Sequence, residues 1–60
     1  MRDINRIDSI LKRIGDIWKK YPDLRLGQLI KNASFDSNLY YIEDEDLIDK
    51  IEEFYERVRQ

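Results

Sequence analysis

The sequence contains no cysteine and no histidine. The first absence rules out a disulfide framework, and the two together rule out the usual zinc sites. They also remove the common partners for nucleophilic catalysis, since Ser9, Ser34 and Ser37 have no imidazole to activate them. Proline occurs once and glycine twice, too few for a loop-rich or low-complexity chain. No long apolar run follows Met1, as a signal peptide or a membrane-crossing helix would require. The expected compartment is therefore the cytoplasm of a bacterium or an infected cell, with no membrane partner.

The chain has 60 residues, enough for one domain spanning 1–60. A chain of this size buries only about 60% of the surface its unfolded state exposes, so its core is expected to be marginal. With disulfides and metals excluded, self-association is the remaining way to add buried surface. Charged residues make up 40% of the chain and the net charge is −2. That charge is unevenly spread. Residues 1–33 hold eight Lys or Arg against four Asp, giving +4, whereas residues 34–60 hold three against nine, giving −6. Opposite halves of this kind can attract within one chain or between two copies.

Hydrophobic spacing predicts helices. Ile4, Ile7, Leu11, Ile14, Trp18 and Tyr21 recur at alternating steps of three and four, and Ile10 and Ile17 widen the row into a broad stripe. Asp3 or Asn5 is placed to cap this helix, and Lys19 and Lys20 complement its dipole at the other end. Pro22 stops it. Asp23 then reads as the N-cap of a short second helix through Leu24, Leu26, Leu29, Ile30 and Ala33. Gly27, inside it, suggests close approach by another helix or by Trp18. The polar stretch 32–38 reads as a loop. Leu39-Tyr40-Tyr41-Ile42 reads as an extended linker whose aromatics fill the core, or as an edge that pairs with a second copy. Its two tyrosines cannot both point inward from an extended segment. A final helix starts near Asp44, with Leu47, Ile51, Phe54 and Val58 in one row and Ile48 and Tyr55 widening it.

The expected fold is all-α: a small three-helix domain with two long amphipathic helices packed antiparallel, one short central helix and an extended Tyr-rich linker. The expected core is Ile7, Leu11, Ile14, Trp18, Leu26, Leu29, Ile30, Ile51, Phe54 and Val58.

The chemistry-bearing clusters are few. Glu43-Asp44-Glu45-Asp46 lacks the spaced ligands and the glycine of a calcium loop, and helix capping with favourable dipole charge accounts for it. No metal, cofactor or catalytic residue is expected. Lys12, Arg13, Lys19, Lys20 and Arg25 would make a basic face if contiguous. However, the pI near 5.0 and the interspersed Asp8, Asp16 and Asp23 argue against a nucleic-acid footprint. The remaining class is binding to protein. Both long stripes are wider than one partner helix covers, so an apolar face should be left over. The expected partners are a second copy, forming a homodimer, and another protein. The candidate interface residues are Ile48 and Tyr55 on the closing helix, Tyr40 and Tyr41 in the linker, and Arg25 and Gln28 as fixed polar contacts beside Gly27.

The stretch Trp18-Lys19-Lys20-Tyr21-Pro22-Asp23-Leu24-Arg25-Leu26-Gly27-Gln28-Leu29-Ile30-Lys31-Asn32, together with Leu39-Tyr40-Tyr41-Ile42-Glu43-Asp44, Arg6-Ile7 and the closing helix, resembles a family of short uncharacterised proteins of bacteria and their phages. The resemblance covers nearly the whole chain and brings no activity or site residue with it. In size and lack of cysteine the chain is also similar to small phage anti-defence proteins such as the inhibitor of the Hachiman system, which act by binding. That similarity implies a stoichiometric inhibitor of a host or phage protein. The alternative is a small nucleic-acid-binding or transcription-regulatory factor.

Overall fold

The computed structural model describes residues 3–58 and has three helices: α1 (Asn5–Lys20), α2 (Leu26–Ser34) and α3 (Asp44–Val58). The all-α, three-helix expectation holds.

Each boundary has a local cause. At the start of α1, Asp3 Oδ1 accepts the Asn5 N–H at 3.0 Å, satisfying a donor that the helix itself cannot. Tyr21 leaves the helical region before Pro22. Trp18 Nε1 donates to the Leu24 carbonyl at 2.7 Å and fixes the connection to α2. Asp23 does not cap α2. Residues 21–24 form a turn closed by the Leu24 N–H on the Tyr21 carbonyl, which moves the helix start to Leu26 with Arg25 as N-cap. The Gln28 side chain accepts the Arg25 N–H at 2.8 Å. This is one half of a capping box, since a guanidinium has no acceptor with which to return the bond. At the far end of α2, the fully buried Ser34 donates its hydroxyl to the Ile30 carbonyl at 2.7 Å, so the hydroxyl is not left unsatisfied.

The Tyr-rich linker is wound into turns instead of being extended. Asn38 is the cause: its side-chain oxygen accepts the Tyr40 N–H, and its carbonyl accepts from both Tyr41 and Ile42. Tyr40 and Tyr41 pack on each other edge to face, outside the core. The expectation that these aromatics fill the core is therefore overturned, and no strand forms among the described residues.

The topology also corrects the expected antiparallel arrangement of the long helices. Arg6 meets Asp44, Arg13 meets Asp49 and Glu52, and Tyr21 meets Tyr55, so α1 and α3 run parallel. Between α2 and α3 the order is reversed, with Leu29 on Tyr55 and Asp36 on Lys50. The reason is that α2 is itself a full reversal, and two reversals restore the original direction. α3 is the element against which both other helices pack.

The core consists of Ile17, Leu29, Ile48, Ile51 and Tyr55, flanked by the partly buried Ile10, Ile14, Trp18, Tyr21, Leu24, Ile30, Ala33, Leu47 and Phe54. Of the ten expected core residues, Leu29 and Ile51 are fully inside, and Ile14, Trp18, Ile30 and Phe54 are half-buried against them. Ile7, Leu11, Leu26 and Val58 are exposed. Both long helices therefore turn a different line of their stripes inward from the one expected. On α1 the inward row is Arg6, Ile10, Arg13, Ile17 and Tyr21. On α3 it is Ile48, Ile51 and Tyr55.

Candidate interaction surfaces

The contact between α1 and α3 is apolar below and ionic above. Arg13 holds Glu52 with two bonds, Nε to Oε2 at 2.9 Å and Nη2 to Oε1 at 2.6 Å. Its remaining donors reach Glu45 and Asp49 at 3.0 Å each. Those three carboxylates fall on one stripe of α3, spaced four and three apart, and so face one arginine together. About two turns earlier on α1, Arg6 Nε binds Asp44 Oδ2 at 2.9 Å. The charged halves of the sequence are thus joined within a single chain. The Glu43–Asp46 acidic cluster is partly consumed in that pairing, beyond its role at the helix start.

The electrostatics follow from these contacts. The bonds to Glu52, Glu45 and Asp49 hold the Arg13 guanidinium even more firmly charged than usual. In return, Arg13 holds Glu52 below the ordinary carboxylate range. Lys12 does the same to Asp16, and Lys50 to Asp36. Tyr55 shifts the other way because burial disfavours its phenolate. Its hydroxyl donates to the Leu29 carbonyl at 2.8 Å.

Ile48 and Tyr55, expected at an interface, lie inside the chain's own core, at 1% and 4% exposure. A partner cannot reach them in this fold. Gly27 is not closely approached, since a Cβ built there meets nothing within 4 Å. Arg25 and Gln28 beside it are exposed, and their fixed contact is the helix cap they share. Tyr40 and Tyr41 are fully presented to solvent at 86% and 76% exposure, with Phe35 and Leu39 also exposed in the same connection.

The surface that sequence reasoning missed lies on α1. Ile4, Ile7 and Leu11 are 75%, 44% and 60% exposed. Beyond them Gly15, Trp18, Lys19 and Pro22 line an open concavity of about 270 Å³. The spacing of Ile4, Ile7, Leu11 and Trp18 is that of a helix-pairing seam, and this was the available signal. Periodicity assigned that seam to the core because it does not say which part of a broad stripe the fold will use.

Two of the five residues of the expected basic face are engaged by acids. Arg13 is enclosed by three acids of α3, and Lys12 is paired with Asp16 at 3.0 Å. Among the described residues, no group of three or more acidic side chains is arranged to hold a metal ion, and no helix is long and apolar enough to cross a membrane.

No family model, no curated protein and no solved structure matches this chain.

Proposed function

We propose that this chain is a small, non-catalytic protein-binding module that self-associates and acts stoichiometrically on another protein. The observation that carries this reading is the number of large apolar side chains left outside so small a core. Seven of the nine among the described residues lie in two stretches, Ile4, Ile7 and Leu11 at the start of α1 and Phe35, Leu39, Tyr40 and Tyr41 in the 35–41 connection. Soluble single-domain proteins seldom leave contiguous apolar surface uncovered unless it meets a partner. Tyrosine is also among the side chains most often found at the energetic centre of interfaces, because it offers large contact area at little entropic cost. The Tyr40–Tyr41 pair, held by the Asn38 turn, is the surface assigned to the heterologous partner. A host or phage protein, in the manner of anti-defence inhibitors, is the class that fits a compact binding element of this kind.

The alternative, a nucleic-acid-binding or regulatory factor, would require a contiguous basic face. The pairing of Arg13 and Lys12 with carboxylates weighs against it. The experiment is capture from lysate of the native host by the immobilised chain and by its Tyr40→Ala/Tyr41→Ala variant. A protein retained by the first, lost with the second and reconstituted at a fixed stoichiometry supports the reading. Equal retention by both, or steeply salt-dependent retention of nucleic acid, overturns it.

A further inference from the structure

We draw no further inference here: the strongest candidate, the exposed apolar face of Ile4, Ile7 and Leu11 at the start of α1, carries none because nothing in the structure shows what covers it.

Discussion

Arg13 grips Glu52 through the Nε–Nη2 edge of its guanidinium, at 2.9 and 2.6 Å, across 39 residues of sequence. Bidentate geometry of this kind is specific in direction as well as strong. It fixes which side of α1 faces α3. If α1 were rotated to bury Ile7 and Leu11 in place of Ile10 and Ile17, Arg13 would turn away from the acidic stripe of α3.

This arrangement predicts an acid-sensitive fold. The folded-state pKa of Glu52 is depressed, so its contribution to stability is present above the unfolded value of about 4.3 and is lost as pH falls through the folded one. Asp16 and Asp36 are shifted in the same direction and add to the trend, though both are exposed and screened. The melting temperature should therefore drop on acidification below about pH 5. Arg13→Met should lower it at neutral pH and flatten that acid limb. An acid limb identical in the variant would show that the pairing does not stabilise the fold.

Tyr55 supplies the opposite pH dependence. Burial raises its pKa, so the folded chain keeps the phenol neutral where the unfolded chain ionises. That contribution is intact below about pH 10 and is lost as pH rises beyond it. Tyr55→Phe removes the hydroxyl bonded to the Leu29 carbonyl and should cost about 1 kcal/mol at neutral pH. Urea titrations at pH 7 and under alkaline conditions check both statements, with the alkaline loss smaller in the variant.

Core and surface separate cleanly in an alanine series. Ile51→Ala removes a fully buried side chain and should cost about 2–5 kcal/mol, enough to unfold much of so small a domain. Leu11→Ala and Val58→Ala, exposed in the single chain, should cost no more than about 0.5 kcal/mol under dilute conditions. Comparable losses at Ile51 and Leu11 in dilute solution would mean that α1 is rotated toward the orientation its spacing alone suggests.

Gly27 is the second residue of α2, exposed and with open space around it. Gly27→Ala should stabilise the chain by about 0.5–1 kcal/mol, because alanine has less backbone freedom to lose on folding. A destabilised Gly27→Ala variant in a thermal melt would reveal a close neighbour at that position.

The sequence alone determined that three helices form and approximately where they end. These are local properties: Asp3 accepts a nearby N–H, Pro22 bars continuation, and apolar residues recur with helical period. It also suggested that apolar surface would be left over, because stripes this broad exceed what one neighbouring helix covers. Tertiary structure alone decided which part of each stripe went inside. A broad stripe can turn by most of a residue step and still present apolar side chains to its neighbour, so periodicity leaves that rotation open. The contacts that close it are remote in sequence: Arg13 with the Glu45, Asp49 and Glu52 stripe, Tyr55 with Leu29, and Tyr21 with Tyr55. The same holds for Tyr40 and Tyr41, whose composition suggested an extended segment until one asparagine wound it into a turn. Moving Ile48 and Tyr55 inward and Ile4, Ile7 and Leu11 outward is a single consequence of those rotations, and it carries the candidate interface from α3 to α1.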